Sequence, residues 1–140
     1  MKTLEISAID YLDVKTIFAH LEAGDPDEFF EHVAEDVLWI VEGTHPLAGR
    51  YMTKDSLREH TFDRLSKSLR DGLKLQVDNI MVSGPWAIVE LSSHAVAKNG
   101  MPFENNYCWL ARFCGETIVE VRAYLDTALV QKLIDENERR

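Results

Sequence analysis

The stretch after Gly72 alternates between apolar and polar residues almost without interruption as far as Leu125. Four segments carry this period of two: 74–82, 86–98, 101–113 and 117–125. Short breaks containing SGP, NG and CGE separate them. Such alternation is typical of half-buried strands, and breaks of this composition are typical of hairpin turns. The second half of the chain is therefore predicted to form four successive long strands of an antiparallel sheet.

The first half of the chain has a helical character. Residues 9–22 place apolar side chains at helical spacing, Gly24 is a stop signal, and Asp25 and Pro26 are an N-cap and a first residue for a second helix. A short buried strand, a loop and a third helix are predicted at 36–41, 42–49 and 53–69. A last amphipathic segment follows a cap at Thr127 or Asp126. Helices followed by successive antiparallel strands indicate the α+β class.

Composition limits what this chain binds and where it works. Its 140 residues predict one domain, 1–140, and 46% hydrophobic with 28% charged residues is an ordinary globular mixture. A net charge of −9 argues against nucleic acid as a partner, because an acidic surface repels phosphates. No apolar run reaches the length of a membrane span, about 18 residues, so no membrane association is expected.

The N-terminal segment and the cysteines bear on localisation. Glu5, Asp10 and Asp13 interrupt every short apolar run near the N-terminus, so no signal peptide is visible. Cys108 and Cys114 lie six positions apart in one predicted strand, about 20 Å, which is too far for a disulfide. A reduced, cytoplasmic protein is the prediction.

Three stretches, AGDPDEFFEHVAEDVLW, HPLAGRYMTKDSL and ETIVEVRAYLDTALV, resemble the nuclear transport factor 2-like superfamily in its SnoaL-like, ketosteroid-isomerase-like branch. With the order of elements between them, they span nearly the whole chain. The resemblance implies a cone, with three N-terminal helices laid across a strongly curved, mainly antiparallel sheet that encloses an apolar pocket. It also implies a homodimer through the convex sheet face, with apolar contacts from Val89, Leu91, Cys108 and Leu110.

Two strands supply most of the expected pocket wall. In 86–98 the first face carries Trp86, Ile88, Glu90, Ser92, His94 and Val96. The resemblance favours this face as the concave one; the alternative places Glu90 and His94 at a dimer interface or on a wet convex face. In 101–113 the alternate residues from Phe103 to Phe113 have the character of a pocket wall, although a bulge would exchange the faces. The predicted ligand-binding residues are Trp39, Val41, His45, Ser92, Asn105, Tyr107 and Trp109.

Two known chemistries of the superfamily do not transfer to these residues. Carried over by the resemblance, the oxyanion tyrosine of ketosteroid isomerase falls on Ile17, its base on Val41 or Glu42, and its acidic donor on Trp109. One of the acids of the epoxide hydrolases falls on Ala123. Neither mechanism is therefore expected here.

His94 and Glu90 remain as candidate catalytic residues. Imidazole titrates near neutrality, so His94 is the candidate general base, with Glu90 as a second acid or base. SnoaL-like cyclases abstract an acidic proton from their substrate without a cofactor, so no cofactor is predicted. The sequence shows no cluster of histidines and cysteines at metal-binding spacing, so no metal is predicted either. His20, His32 and His60 are interpreted as surface residues. The expected function is a cofactor-independent enzyme acting on a small apolar or aromatic carbonyl compound. The alternative is a non-catalytic ligand-binding or dimerisation module of the same fold.

Overall fold

Four of the five described α-helices lie in the first half of the chain and four of the six described strands in the second half, as the sequence predicts. The structure is a computed structural model that describes residues 8–138. Glu5 and the rest of the first seven residues, on which the signal-peptide prediction partly depends, lie outside the described residues, as do Arg139 and Arg140. Within 8–138 no helix is long and apolar enough to cross a membrane.

Five α-helices and six strands make up the described chain. The helices are α1 Tyr11–Glu22, α2 Pro26–Phe30, α3 Lys54–Leu57, α4 Asp63–Ser68 and α5 Thr127–Asn137, and a π-helical turn, Arg58–Phe62, joins α3 to α4. The strands are β1 Val33–Val41, β2 Gly49–Tyr51, β3 Gln76–Ser83, β4 Trp86–Val96, β5 Pro102–Cys114 and β6 Thr117–Leu125. The three-residue strand β2 is the one element without a predicted counterpart.

Side-chain caps fix where the helices begin. The Asp25 carboxylate accepts a hydrogen bond from the Glu28 backbone N–H at 3.2 Å, which confirms Asp25 as the N-cap with Pro26 in the first turn. At the last helix Asp126 is the cap, accepting from the Leu129 N–H, and Thr127 is the first helical residue.

The six strands form one curved, unclosed sheet in the order β2-β1-β6-β5-β4-β3. All neighbours are antiparallel except β1 and β6, which run parallel. Buried side chains of α1 and α2 pack against the inward side chains of the sheet, and together they form the main apolar core. This arrangement confirms the predicted α+β fold with a curved, mainly antiparallel sheet.

The β4–β5 hairpin decides which face of β4 points inward. Ala97 N–H donates to the Met101 carbonyl at 2.8 Å, and Gly100 has a φ of 93°, so three residues form the loop. A two-residue turn at Asn99 and Gly100 would pair odd-numbered residues of β4 with even-numbered residues of β5. The three-residue loop instead pairs odd-numbered residues of β4 with odd-numbered residues of β5, as in Val89 opposite Trp109. Because a shift of one residue exchanges the faces of a strand, the odd residues of β4 face the core.

The predicted concave face of β4 is therefore wrong, and its even residues lie on the outer face. Glu90 and His94 are exposed there. Val89 and Leu91 are buried inside, so they cannot supply contacts to a partner on the convex face. Cys108 lies on the outer face, as predicted, and is a free thiol.

The face predicted for β5 is correct. Every residue of the predicted wall is buried: Phe103, Asn105, Tyr107, Trp109, Ala111 and Phe113. At one end of this wall Phe103 joins a second apolar cluster with α5, α4 and the loop before β2. This cluster shares Leu47 and Leu65 with the lining of the interior cavity described next.

Candidate functional site

An apolar cavity lies between the inner face of the sheet and the helices. Its volume is about 40 Å³, enough for two or three water molecules and well below that of a typical ligand pocket. The lining residues are Trp39, Val41, His45, Leu47, Thr61, Phe62, Leu65, Leu73, Leu75, Tyr107, Trp109, Ala123 and Leu125. A small organic molecule can therefore enter only if lining side chains move.

Aromatic rings occupy most of the interior around this cavity. The rings of Trp39 and Trp109 meet edge to face with centroids 5.2 Å apart, and Phe62 lies 6.0 Å from Trp109. Phe29 and Phe30 extend the cluster towards α2. Edge-to-face pairs at these separations are favourable beyond the area they bury, so the aromatic lining is also a stable part of the core.

Tyr107 lines the cavity and carries a buried hydroxyl. Its side chain is buried on the inner face of β5, and its hydroxyl lies 3.1 Å from the Ser93 hydroxyl on β4. Burial raises the pKa of the Tyr107 phenol far above its usual value, and the hydrogen bond with Ser93 offsets only part of this rise. Tyr107 is therefore a neutral hydrogen-bond donor or acceptor at every physiological pH.

His45 lines the cavity but has both ring nitrogens engaged. Its Nε2 lies 2.9 Å from the Glu42 carbonyl, and its Nδ1 accepts from the Leu47 N–H at 3.2 Å. An imidazole that accepts at Nδ1 and donates at Nε2 is neutral. Gly43, with a φ of 114°, packs so close that a Cβ there would lie 2.9 Å from the His45 ring. The loop thus holds His45 as a structural residue, buried rather than solvated.

Thr61 is the third polar residue that lines the cavity, and no sequence pattern singles it out. Its hydroxyl donates to the Leu57 carbonyl at 2.6 Å across the π-helical turn. A π-helical turn is often found at functional sites, because the extra residue per turn reorients side chains. Here it places Thr61 and Phe62 together at the cavity.

A surface cleft lies on the far side of Phe62, Leu73 and Leu75, which line both the cleft and the cavity. The cleft runs between the α1–α2 turn and the π-helical turn and also contains Arg58. The Arg58 guanidinium lies 2.7 Å from the Asp27 carboxylate and 4.4 Å above the Phe30 ring. Phe62 and Leu73 are only half-buried, so this wall of the cavity lies close to solvent.

The structure brings together five of the predicted ligand-binding residues: Trp39, Val41, His45, Tyr107 and Trp109. It leaves out the other two. Ser92 lies on the outer face and borders a polar surface cleft of about 400 Å³. Asn105 faces inward, where its Oδ1 accepts from the backbone N–H groups of Asn106 and Asp126, but it does not line the cavity.

The candidate catalytic pair also lies away from the cavity. His94 borders the same outer cleft as Ser92, and its Nδ1 lies 2.7 Å from the Glu104 carboxylate. The side chains of both partners are more than half exposed. Glu90 is exposed and accepts from the Asn79 amide at 3.3 Å. Water therefore surrounds these groups, which removes the apolar setting on which their predicted role depended.

The positions carried over from ketosteroid isomerase and the epoxide hydrolases do fall inside. Val41, Trp109 and Ala123 line the cavity, and Ile17 is buried in the adjoining core. No carboxylate is present among the described residues that line the cavity. The polar residues among its lining are Tyr107, His45 and Thr61, and the surface that the lining presents to the cavity is almost entirely apolar.

Residues 14–121 match the family model of the SnoaL-like domain. The chain belongs to the SnoaL-like family. A curated relative, "Dimerizing cyclase phiC" from a fungal species, is 30% identical over 129 residues, which cover 89% of this chain and 57% of the relative. "Dimerizing cyclase tstC" from Talaromyces stipitatus is 25% identical over 118 residues, which cover 81% of this chain and 52% of the relative. This SnoaL-like chain thus spans about half the length of the curated relatives it matches.

A solved NTF2-like protein from Burkholderia thailandensis has the same fold as this SnoaL-like chain. The two superpose with a TM-score of 0.76 at 24% identity, and the match covers 89% of this chain and 95% of the solved one. The predicted nuclear transport factor 2-like fold is therefore confirmed.

Proposed function

We propose that this SnoaL-like chain is a cofactor-independent cyclase that encloses an apolar carbonyl compound in its interior cavity. The family match and the two relatives named as cyclases support this reaction class. The observation that carries the proposal is the Tyr107 phenol, a buried hydroxyl that stays protonated in an apolar, aromatic cavity.

In such a cavity Tyr107 acts on the oxygen that gains negative charge. Ring closure forms a carbon–carbon bond between an enol carbon and a carbonyl carbon. The π electrons of that carbonyl move onto its oxygen, which takes up the proton that the enol hydroxyl loses. A prearranged donor in a site without water stabilises such charge strongly, typically by about 3–4 kcal/mol per donor. Ser93 holds the phenol in place from the neighbouring strand. Because both His45 nitrogens are engaged, the substrate must be a compound that enolises readily, such as a 1,3-dicarbonyl.

We place the entrance at the wall formed by Phe62, Leu73 and Leu75. Displacement of these side chains joins the cavity to the cleft that contains Arg58. The partner of Arg58 is the largely exposed Asp27, and an exposed ion pair is held by less than about 1 kcal/mol. A substrate carboxylate can therefore replace Asp27, so the proposed substrate has an apolar body with an acidic end. Because the two relatives are named dimerizing cyclases, we also propose that the product of this chain is built from two such substrate molecules.

A second candidate function is ligand binding without turnover. The observation in its favour is that every polar group at the cavity has an internal partner: His45 with the loop backbone, Thr61 with Leu57, and Tyr107 with Ser93. A binding module needs no free base, and the same cavity would serve it.

The test uses 2-naphthol, whose fluorescence distinguishes its neutral from its ionised form, with naphthalene as the matched probe that lacks oxygen. We expect Tyr107→Phe to weaken binding of the naphtholate form by about 10–100-fold, the value of a hydrogen bond to a charged group. Naphthalene should bind the wild type and Y107F equally. His94→Ala should change neither affinity. Equal naphtholate binding by Y107F, or a loss in H94A instead, would move the site out of the cavity.

Turnover separates the cyclase from the binding module. Native mass spectrometry of the purified protein identifies a retained ligand, and enolisable 1,3-dicarbonyl acids are then incubated with the wild type and Y107F. A cyclised product formed by the wild type and reduced at least tenfold in Y107F supports the cyclase. Unchanged compounds that nevertheless compete with 2-naphthol support the binding module.

A further inference from the structure

Two histidines and a glutamate from three consecutive parts of the chain meet at the surface. The side chains are those of His20 on α1, Glu28 on α2 and His32 just before β1. One donor atom from each lies within 4.8 Å of the other two. The imidazole rings are nearly parallel, with centroids 6.0 Å apart and an interplanar angle of 12°. We propose that these three residues bind a divalent transition-metal ion, with zinc as the expected occupant.

The chemistry of the donor set favours such an ion. Two imidazoles and one carboxylate are ligands that Zn²⁺ accepts at about 2.0–2.2 Å, which places tetrahedral donors about 3.4 Å apart. The donor atoms now lie within 4.8 Å of one another, so the proposal requires side-chain rotation to bring them to this separation. Imidazole also disfavours Mg²⁺ and Ca²⁺, which prefer sets made only of oxygen. The fourth position stays open for water.

No other described group competes for these donors. The ring nitrogens of His20 and His32 and the Glu28 carboxylate make no hydrogen bond or ion pair with another residue among 8–138. The lone pair of an imidazole nitrogen lies in the plane of its ring, so the two stacked rings must turn about χ2 before both can ligate one ion.

The backbone fixes the positions of all three residues. The His20 carbonyl accepts from the Asp25 N–H at 2.9 Å, and the Glu28 N–H donates to the Asp25 carboxylate. The His32 N–H donates to the Phe29 carbonyl at 3.0 Å, and the His32 carbonyl accepts from Ile118 at 2.7 Å. The α1–α2 turn therefore brings the ligands together in the fold before a metal binds.

The surroundings attract cations. The segment 20–32, HLEAGDPDEFFEH, contains five carboxylates and no lysine or arginine. A concentration of one charge sign raises the local concentration of the opposite ion. Neither histidine has a hydrogen-bond partner, among the described residues, that would orient its second ring nitrogen. The absence of such partners typically lowers metal affinity by about 10–100-fold. Binding is accordingly expected in the micromolar range. The twelve-residue separation of the histidines explains why the sequence shows no metal-binding motif.

The experiment titrates zinc into the chelator-treated full chain by calorimetry. We expect one zinc per chain, a visible absorption band typical of tetrahedral Co²⁺ when cobalt replaces zinc, and no competition from excess Mg²⁺. His32→Ala and the isosteric Glu28→Gln should each lower zinc affinity at least tenfold. His60→Ala is the matched control, because His60 is exposed and bonded to Ser56 and should leave binding unchanged.

Thermal unfolding provides the second readout. Zinc should raise the Tm of the wild type and H60A by several degrees and leave that of H32A unchanged, because only binding to the folded state stabilises it. Equal zinc affinity in the wild type, H32A and E28Q, or no saturable binding at all, would overturn the proposal. The cavity is not involved, so these results are independent of the 2-naphthol measurements.

Discussion

The hydroxyls of Tyr107 and Ser93 lie 3.1 Å apart inside the sheet, on two neighbouring strands whose facing residues are otherwise mostly apolar. Leu91, next to Ser93 on the inner face of β4, pairs directly with Tyr107. The phenol is thus held between two strands, and its protonation is coupled to folding because its pKa is raised by burial.

Alkaline pH should destabilise the wild type more than Tyr107→Phe. The unfolded chain releases the phenol proton near pH 10, the ordinary tyrosine value, while the folded protein retains it. Unfolding then releases a proton, so the free energy of unfolding falls as pH rises above about 10, by up to about 1.4 kcal/mol per pH unit. Urea unfolding between pH 8 and about 11.5 measures this. Curves for the wild type and Y107F that stay parallel throughout would contradict the raised pKa.

Phe62→Ala should open the cavity to the surface cleft. Loss of the ring removes one of the three side chains that separate the two, at a cost of about 2–4 kcal/mol in stability. The association rate of 2-naphthol, followed by stopped-flow fluorescence, should rise. Phe113→Ala is the matched control, since Phe113 is buried on the same sheet face but does not line the cavity. An unchanged rate in F62A, or equal increases in both variants, would argue against this entrance.

The sequence predicted the fold and one wall of the cavity, because both depend on patterns within single elements. Phe103 to Phe113 form a face too aromatic to be solvated, and the structure buries all of it. The face of β4 depended instead on the length of its loop to β5. Both faces of β4 carry apolar and polar residues, so periodicity alone could not choose between them. The interior already holds the large rings of Trp39 and Trp109, and the inward positions of β4 accordingly carry smaller side chains such as Ala87 and Val89.

Contacts between distant residues account for what the sequence could not predict at the site. Phe62 and Leu65 belong to a predicted helical stripe, but nothing in the stripe indicates that they face a cavity. His45 appears in the sequence as a loop residue, and its burial depends on Gly43 and on the hydrogen bond from Leu47. His20 and His32 are separated by a helix end and a turn whose packing brings them together.

Glu120→Gln should destabilise the protein at neutral pH and lose its effect in acid. The Glu120 carboxylate accepts from Arg122 at 2.8 Å and from Arg112 at 3.1 Å on the outer face. Burial alone would raise its pKa, but these hydrogen bonds and charges outweigh burial and lower it below 4.5. Both arginine side chains are more than 40% exposed, at 41% and 46%, so the expected cost is reduced to about 1–2 kcal/mol.

The pH dependence of this contribution follows from the lowered pKa. The stabilisation is complete above the unfolded value of about 4.5 and is lost as pH falls through the lower folded value. Thermal unfolding at pH 7 and at about pH 3 should therefore show a Tm gap between wild type and E120Q that narrows in acid. Glu116→Gln, at an exposed position in the β5–β6 turn, should show no gap at either pH. An E120Q gap as large at about pH 3 as at pH 7 would contradict the prediction.

Homodimerisation through the outer face of the sheet is the last prediction, with its contacts revised by the structure. Met81, Ile88 and Leu110 stand side by side on β3, β4 and β5, and all three are partly or fully exposed. In a two-fold interface the same patch meets itself, so one substitution changes both sides.

Light scattering of the wild-type chain at micromolar concentration should give about twice 16.0 kDa. Leu110→Glu should give a monomer, because it places two like charges in an apolar contact. Leu12→Glu makes the same change at an exposed site on α1 and should remain dimeric. A wild-type mass near 16.0 kDa, or a dimer that survives L110E with circular dichroism unchanged, would exclude this face as the interface.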